Sequence, residues 1–178
     1  QDDFAHKHCN ETYSAPDVSD ITLTIDGIDS TIHLKHGKGE DSDGSEIATL
    51  EASTGNKVYD TDKIRSLYSA MMMIQRLAAA PADVIETGTP ALTIKLTPLN
   101  ASDTDRTDFS FYPYSANRYL CFASDGDCYL VKAADIEGFI KILARNNEII
   151  GAHIVSKEAS SLITNFVIVI QNKKNHYR

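Results

Sequence analysis

The stretch FSFYPYSANRYLCFASDGDCYLV, Phe109 to Val131, decides how this chain folds. It is rich in aromatic residues, which favour the pleated, half-buried surface of a β-strand. The dipeptide Asp125-Gly126 is a favoured two-residue hairpin turn. The stretch therefore predicts two or three strands joined by tight turns.

The segments on its N-terminal side alternate between apolar and polar residues, as half-buried strands do. Gly37 to Glu46 interrupts this alternation with acidic residues and glycines, and it reads as a loop. The predicted strands are 21–25, 32–34, 47–52, 57–59 and 92–97, with turns at 26–29 and 54–56.

A long helix is predicted from Asp62 to Ala80, because apolar residues recur there at three- and four-residue spacing. Asp60 or Thr61 is a natural N-cap, and a proline directly after the segment stops the run. Met71 falls in the apolar stripe and Met73 away from it. This spacing favours core filling over a metal-binding role for the methionines.

A second helix follows Asp135, which offers a cap, and a strand over 148–155 precedes a final helix from Ser156. The resulting order predicts an α+β fold, with antiparallel sheet or sheets of hairpins and two to three amphipathic helices packed on one face. The predicted domains are a flexible arm over 1–19, an α+β domain over 20–145, a C-terminal strand–helix extension over 146–172 and a basic tail over 173–178. The second helix presents one apolar face formed by Ile136, Phe139, Ile140 and Leu143.

The charge and hydropathy of the chain exclude two classes of partner. Its formal net charge is -8, from 25 acidic and 17 basic side chains, so the concentrated positive charge of a nucleic-acid groove is lacking. No apolar run approaches the roughly 20 residues that cross a bilayer. The N-terminal sequence also lacks the layout of a signal peptide. We expect no nucleic-acid binding and no direct membrane insertion by this sequence.

Three cysteines, Cys9, Cys121 and Cys128, lack the paired spacing of a zinc or iron site. If Asp125-Gly126 forms a two-residue turn, Ala123 faces Cys128, and Cys121 lies diagonally beside it on the same face. Two alternatives are then open for Cys121 and Cys128, a cross-strand disulfide or two small buried thiols.

Other candidate metal ligands do not form a complete set. The acidic segment Glu40 to Glu46 does not place ligands in the order of a calcium-binding loop. His6 and His8 lie beside a cysteine, but no fourth ligand can be named. His33 and His36 are three residues apart in a strand region, so they point to opposite faces. We expect no metal site.

Motifs for catalysis are missing from the sequence. It has no G-x-S-x-G nucleophile turn, no Gly-rich phosphate loop of either common kind and no C-x-x-C pair. No catalytic and no cofactor-binding residue is therefore predicted. A binding or structural role is favoured over an enzyme.

Three segments carry a family resemblance. They are VYDTDKIRSLYSAMMMIQRL, PALTIKL and FSFYPYSANRYLCFASDGDCYLVKAADIEGFIKIL, and the match around them covers about residues 20–143. They resemble a bacterial envelope-associated family known as domain of unknown function 4340. The resemblance implies an extracytoplasmic domain, tethered to a membrane through a segment outside this sequence, with no known catalytic residues.

The segment GFIKILARNNEIIGAHIVSKEASSLITNFVIVIQN, Gly138 to Asn172, looks like the dimerisation domain of dihydrolipoamide dehydrogenase. The flavin fold, redox cysteine pair and catalytic base of that family are absent, so the resemblance implies a dimerisation surface and no reaction. The two resemblances require different structures over 136–143, a helix in the first family and a strand in the second. Asp135 as a cap favours the helix.

We therefore expect a non-catalytic interaction or scaffolding domain of a bacterial envelope-associated protein, with a protein partner or self-association. The alternative is a truncated or rearranged relative of the flavin-dependent dimerisation domain that lacks the catalytic parts.

Overall fold

A computed structural model of the chain describes residues 8–10, 13–100, 102 and 107–145. A short 3₁₀ turn, Ala15–Asp17, precedes the first strand. The elements in chain order are β1 (Val18–Ile25), β2 (Ile28–Glu40), β3 (Glu46–Thr54), β4 (Lys57–Tyr59), α1 (Thr61–Met72), β5 (Arg76–Ala79), β6 (Leu92–Pro98), β7 (Asp108–Ser115), β8 (Arg118–Ala123), β9 (Cys128–Lys132) and α2 (Ala133–Arg145).

The nine strands form one sheet in the order β4-β3-β2-β1-β6-β7-β8-β9-β5, and every neighbouring pair is antiparallel. The predicted hairpin of β1 and β2 is confirmed, with Ile25 opposite Ile28. Asp26 and Gly27 both have positive φ, which is the conformation of a type I′ turn and matches the twist of the strands. The hairpin predicted between 47–52 and 57–59 also forms, but residues 57–59 pair with 52–54 rather than with most of 47–52.

One face of the sheet, the inner face, carries the core. Ile21 pairs with Ile32 on one side and with Leu96 on the other, and Ile94 pairs with Phe109, so apolar side chains meet across adjacent strands. The helices add their buried residues to the same cluster. These are Ile64, Leu67, Tyr68 and Met71 of α1 and Ile136, Phe139, Ile140 and Leu143 of α2.

The expected α+β class with two to three helices on a sheet is wrong. The described chain is a nine-stranded antiparallel sheet with two short helices, and strands dominate the fold. One cause is the helix predicted over 62–80, which ends at Met72. Residues 76–79 instead pair with β9, and this backbone pairing outweighs a helical preference that is worth only tenths of a kcal/mol per residue.

The first turn and apolar stripe of α1 agree with the sequence. Asp60 is the N-cap, and its carboxylate accepts hydrogen bonds from the backbone N–H groups of Asp62 and Lys63 at 2.8 and 3.4 Å. Met71 is buried and Met73 is 63% exposed, so the predicted division of the methionines is confirmed.

The loop predicted from Gly37 to Glu46 is shorter in the structure. Residues 37–40 belong to β2 and pair with β3, which leaves only 41–45 as the connection. The glycines there permit close approach of the neighbouring strand: a Cβ atom at Gly37 or Gly39 would lie 2.9 Å from the side chain of Thr49.

Of the arm expected over 1–19, the structure describes residues 8–10 and 13–19, and part of this stretch is buried. Cys9, Asn10 and Tyr13 are 2 to 3% exposed and belong to the interior. The Asn10 side chain donates to the Tyr13 carbonyl at 2.8 Å and accepts from the Tyr13 N–H at 3.0 Å, and the Tyr68 hydroxyl donates to the same carbonyl at 2.8 Å. Asn10, one of the polar residues that indicated a loop, is therefore buried with hydrogen-bond partners.

Residues 136–143 are helical, as part of α2, and Asp135 lies in its first turn. The predicted strand over 148–155, the final helix from Ser156 and the basic tail over 173–178 lie outside the described residues, as does the whole extension 146–172. Within the described ranges, no helix combines the length and the apolar composition needed to span a bilayer.

Candidate binding cleft

The face of the sheet opposite the core, the outer face, changes character across its width. Over β1, β2 and β6 it is polar, with Thr22 and Thr31 hydroxyl oxygens 3.0 Å apart and the Thr24 hydroxyl donating to Asp29 at 2.6 Å. Over β7, β8 and β9 it becomes apolar, because Leu120 pairs with both Tyr112 and Leu130, and Phe122 pairs with Cys128. Apolar residues therefore line both faces at this end of the sheet.

The chain crosses this apolar end between β5 and β6. In the sheet order, β5 lies beyond β9, whereas β6 lies beside β1, so residues 80–91, the crossing segment, pass over β9, β8 and β7. Two backbone hydrogen bonds hold the segment to the sheet, Ala80 N–H to Cys128 O at 3.2 Å and Ala91 N–H to Phe111 O at 2.9 Å. A third, Val84 N–H to Pro81 O at 3.2 Å, closes a turn within the segment. Leu120 is only 7% exposed, although it points to the outer face.

A cleft of about 270 Å³ opens between the crossing segment and β7 and β8, and we call it the aromatic cleft. Four residues at the cleft are exposed, namely Ile85 at 74%, Tyr114 at 49%, Thr87 and Pro113. The cleft is lined by Val84, Ile85, Thr87, Tyr112, Pro113, Tyr114, Leu120 and Phe122.

Tyr112 is fixed at the cleft by two contacts. Its hydroxyl donates to Glu86 Oε1 at 2.6 Å, and its ring packs edge to face against Phe122, with ring centroids 5.6 Å apart at 89°. Burial, together with the Glu86 carboxylate, raises the pKa of Tyr112 to about 12. At physiological pH the residue is therefore a neutral hydrogen-bond donor with a fixed ring orientation.

The groups near the cleft are not activated for nucleophilic chemistry. Burial and, secondarily, the negative charge of Glu86 raise the pKa of the Cys128 thiol. A reactive cysteine requires the opposite shift, because the thiolate is the nucleophile. In the part of the chain that the structure describes, no three His, Cys, Asp or Glu side chains are placed to hold a metal ion together.

Two cations lie on the outer face beside the cleft. Arg118 pairs with Lys132 in the register of β8 and β9, and the period of two places Arg118 on the same face as Leu120. Two residues along a strand span about 7 Å, so the pair is one step from the apolar lining. The Glu86 carboxylate and the Arg118–Lys132 pair therefore give the surroundings of the cleft charges of both signs.

The cysteine pairing considered from the sequence depends on a register that differs from the observed one. Phe122, not Ala123, is opposite Cys128, because the connection between β8 and β9 is one residue longer than a two-residue turn. Gly126 takes the positive φ of this connection, 92°. A shift of one residue reverses the faces, so Cys121 points to the inner face and Cys128 to the outer face. All three cysteines of the chain are free, with Cys121 buried and Cys128 partly exposed.

The histidines are distributed as separate structural contacts. His33 contacts the Asp20 carboxylate through Nδ1, and His36 donates from Nε2 to the Val18 carbonyl at 2.7 Å. The two side chains lie on opposite faces of β2, as their odd spacing predicts. His8 pairs with Gln75 in an isolated bridge, and His6 lies outside the described residues.

The acidic segment around Gly44 is a hydrogen-bonded hairpin connection. Asp41 Oδ1 accepts from the backbone N–H groups of Asp43 and Ser45, both at 2.9 Å, and Lys38 donates to Glu46 at 2.8 Å. The Asp41 carboxylate therefore closes the turn.

Sequence reasoning missed the aromatic cleft. Two features of the sequence indicate the cleft. The apolar pair Val84-Ile85 lies within a loop of turn-forming residues. Tyr112, Leu120 and Phe122 occupy outward-facing strand positions, and the corresponding positions of β1 and β2 are polar.

Comparisons with known proteins add no relative: no family model, curated protein or solved structure matches this chain. Where the resemblance to the flavin-dependent dimerisation domain requires a strand at 136–143, the structure has α2.

Proposed function

We propose that this chain is a non-catalytic interaction domain of a bacterial envelope-associated protein, and that the aromatic cleft binds an apolar side chain of a protein partner. The observation that carries the proposal is the exposure of Ile85 and Tyr114 around a concave apolar surface. Exposed apolar residues that cluster in this way mark interaction sites. The envelope setting rests on the resemblance of residues 20–143 alone.

The size of the cleft favours a peptide over a small metabolite. Its volume of about 270 Å³ lies just below the range of roughly 300–1,000 Å³ that is typical of small-molecule sites. A small-molecule site also encloses most of its ligand, whereas this cleft is open to solvent. One large side chain, presented by an extended segment of a partner, fits such a space.

The polar groups around the cleft favour a particular type of peptide. Arg118 and Lys132 lie one step along the strands from the apolar lining and would attract a carboxylate beside the anchoring side chain. The Tyr112 ring is held by Glu86 and Phe122, so it can contact a ligand without losing side-chain entropy on binding. We therefore expect a partner segment with an aromatic or aliphatic anchor next to an acidic residue.

A phage-displayed library of random peptides tests the proposal. Peptides enriched on the wild-type domain are expected to carry an apolar anchor flanked by Asp or Glu. Their affinity, measured by isothermal titration calorimetry, should fall at least about tenfold in Ile85→Asp and in Tyr114→Ala, because a central apolar contact is worth about 2 kcal/mol or more.

Val58→Asp is the matched control. Val58 is 69% exposed and lies on β4, at the opposite edge of the sheet from the cleft, so its substitution introduces the same charge at a remote apolar site. Equal affinity of the enriched peptides for Ile85→Asp and for wild type would reject the cleft as the binding site. Concentration-dependent dimerisation abolished by Ile85→Asp would instead identify a second copy of the chain as the occupant.

A further inference from the structure

The hairpin of β2 and β3 extends beyond the strands beside it. β1 pairs with β2 only as far as His33, whereas β2 and β3 pair with each other as far as Glu40 opposite Glu46. On the other side of β3, β4 pairs only with residues 52–54. Residues 46–51 of β3 therefore have β2 on one side, and none of the strands that the structure describes lies along their other side.

The direction of the backbone groups of β3 follows from the turn at its start. In an antiparallel strand the N–H and C=O groups of one residue point to the same neighbour, and those of the next residue point the opposite way. Ser45 O accepts from Asp41 N–H at 3.0 Å, across the hairpin connection. Ser45 and the odd-numbered residues of β3 therefore point their backbone groups to β2, and the even-numbered residues point theirs away from it.

The N–H and C=O groups of Glu46 and Ala48 face away from β2, and we call these groups the open edge. The open edge ends at Leu50, whose carbonyl accepts from the Thr61 hydroxyl at 2.9 Å where α1 begins. This contact confirms the alternation, because Leu50 is even-numbered and its carbonyl is bound on the side away from β2. Backbone groups without a neighbouring strand are a template for pairing with another chain.

The side chains at the open edge do not block a second strand. Ile47, between the two edge residues, is 42% exposed on the outer face, because its partner on β2 is Gly39, which has no side chain to cover it. The Glu46 carboxylate accepts from Lys38 of β2 at 2.8 Å, so it is held towards β2. Charged side chains that project from an open edge prevent pairing, but this one is directed away from the edge.

We propose that the open edge pairs with the open edge of a second copy of the chain, so that two nine-stranded sheets join antiparallel at β3. A two-fold axis perpendicular to the sheet keeps the faces of both copies aligned, so each residue is opposite one that lies an even number of positions away. In the register centred on Ile47, Glu46 is opposite Ala48 of the second copy, and each such pair exchanges two backbone hydrogen bonds. A register centred on Ala48 would instead need the Leu50 carbonyl, where Thr61 lies.

The side chains on both faces are complementary in this register, which favours a second copy over an unrelated strand. On the outer face, Ile47 meets Ile47 of the second copy in a pair without backbone hydrogen bonds, where Cβ atoms approach to about 4.5–5.5 Å. On the inner face, Lys38 is opposite Ala48, and Glu46 of the second copy lies directly beyond this small side chain. The Lys38 ammonium can reach across Ala48, so each Glu46 carboxylate has a lysine on both sides.

The proposal goes beyond the aromatic cleft and is independent of it. The cleft lies over β7 and β8, and in the sheet order β2, β1 and β6 separate those strands from β3. A variant of the cleft should therefore leave the association unchanged.

The experiment is sedimentation equilibrium of the full chain in a reducing buffer, from about 1 μM to 1 mM. Pairing of one short edge gives a small interface, so we expect a monomer–dimer equilibrium with a dissociation constant inside this range. Ile47→Lys places two like charges on the two-fold axis and should raise the dissociation constant at least about tenfold. Ile85→Lys is the matched control, because it makes the same substitution at an exposed isoleucine of the cleft and should leave the constant unchanged.

Cysteine substitutions test the register. In a Cys128→Ser background, Ile47→Cys should give a covalent dimer in a buffer of oxidised and reduced glutathione, because the two new thiols lie opposite each other. Thr49→Cys should give none, because Thr49 is opposite Ser45 of the second copy. Equal amounts of covalent dimer from the two variants would overturn the register.

Hydrogen exchange of the wild-type chain decides the proposal even where a variant fails to fold. The amides of Glu46 and Ala48 should become protected as the concentration rises, whereas those of Ile47 and Thr49, which point to β2, should be protected throughout. A chain that stays monomeric up to about 1 mM, or a dimer that Ile85→Lys abolishes and Ile47→Lys does not, would overturn the proposal. Protection of Glu46 and Ala48 that is independent of concentration would also overturn it, because another part of the same chain would then cover the open edge.

Discussion

Tyr68 and Tyr129 are both buried, but their hydroxyl groups have different surroundings, and removing each one should change stability in opposite directions. The Tyr68 hydroxyl donates to the Tyr13 carbonyl at 2.8 Å. The Tyr129 hydroxyl is buried without a hydrogen-bond partner among the described residues, and the Cys9 and Cys121 thiols are among its neighbours. Tyr68→Phe and Tyr129→Phe delete the same atom from these two environments.

The expected magnitudes follow from the partners that remain. In Tyr68→Phe the Tyr13 carbonyl keeps the hydrogen bond from Asn10, so the loss is the net value of one hydrogen bond, about 1 kcal/mol. In Tyr129→Phe the chain no longer buries a poorly paired hydroxyl, a burial that costs about 1–3 kcal/mol in proteins. Thiols are weak acceptors and offset part of that cost, so we expect a gain of about 1 kcal/mol.

The assay is urea unfolding near neutral pH, with a reducing agent present so that the cysteines stay as thiols. The midpoint should shift to lower urea in Tyr68→Phe and to higher urea in Tyr129→Phe, with unchanged slopes. The two free energies of unfolding should differ by about 2 kcal/mol. A loss of stability in Tyr129→Phe as large as that in Tyr68→Phe would show that the thiols are full partners and would refute the reasoning.

Three further changes test the cleft, the contact between β2 and β3, and the N-cap of α1. The pKa of Tyr112 is raised to about 12 by burial and by the Glu86 carboxylate, so the stability linked to Tyr112 should be constant below about pH 10 and decrease as the pH approaches 12. In Glu86→Gln, NMR titration of the Tyr112 ring should give a lower pKa. An unchanged pKa would contradict the role of the Glu86 carboxylate. Gly37→Ala should lower the free energy of unfolding by about 1–3 kcal/mol in urea titrations, because the new Cβ lies 2.9 Å from Thr49 Oγ1, and the additional change Thr49→Ala should restore most of it. Asp60→Ala removes the N-cap of α1 and should cost about 1 kcal/mol by thermal unfolding, and a cost near zero would mean that tertiary contacts alone hold the first turn.

The parts of the fold that the sequence predicted correctly depend on local information. The turn at Asp26-Gly27 and the flanking alternation fix the β1–β2 hairpin within a few residues of chain. The apolar stripe and N-cap at Asp60 likewise define the start of α1. The helix predicted over 136–143 also follows from a local pattern, and the structure has it.

The errors concern pairings between distant segments. Residues 76–79 have a helical pattern, yet they form β5 because β9, more than fifty positions later, offers a free edge. From the sequence, Gly37 and Gly39 resemble loop residues. In the structure they are strand residues, and the close approach of the Thr49 side chain leaves no room for a Cβ atom at either position. In the β8–β9 hairpin, one additional residue in the connection places Cys121 and Cys128 on opposite faces of the sheet rather than on the same face.

The aromatic cleft and the unexpected strand β5 have the same origin. Because β5 adds to the far edge of the sheet, the chain must return across β9, β8 and β7 to reach β6, a distance of about 19 Å for four strand spacings. The crossing segment covers the outer face there, so outward positions such as Leu120 and Phe122 are apolar rather than polar. A sequence-based assignment that continues α1 to Ala80 removes β5, the crossing and the cleft together. The site is therefore a consequence of topology, and only the long-range pairing of β5 with β9 reveals it.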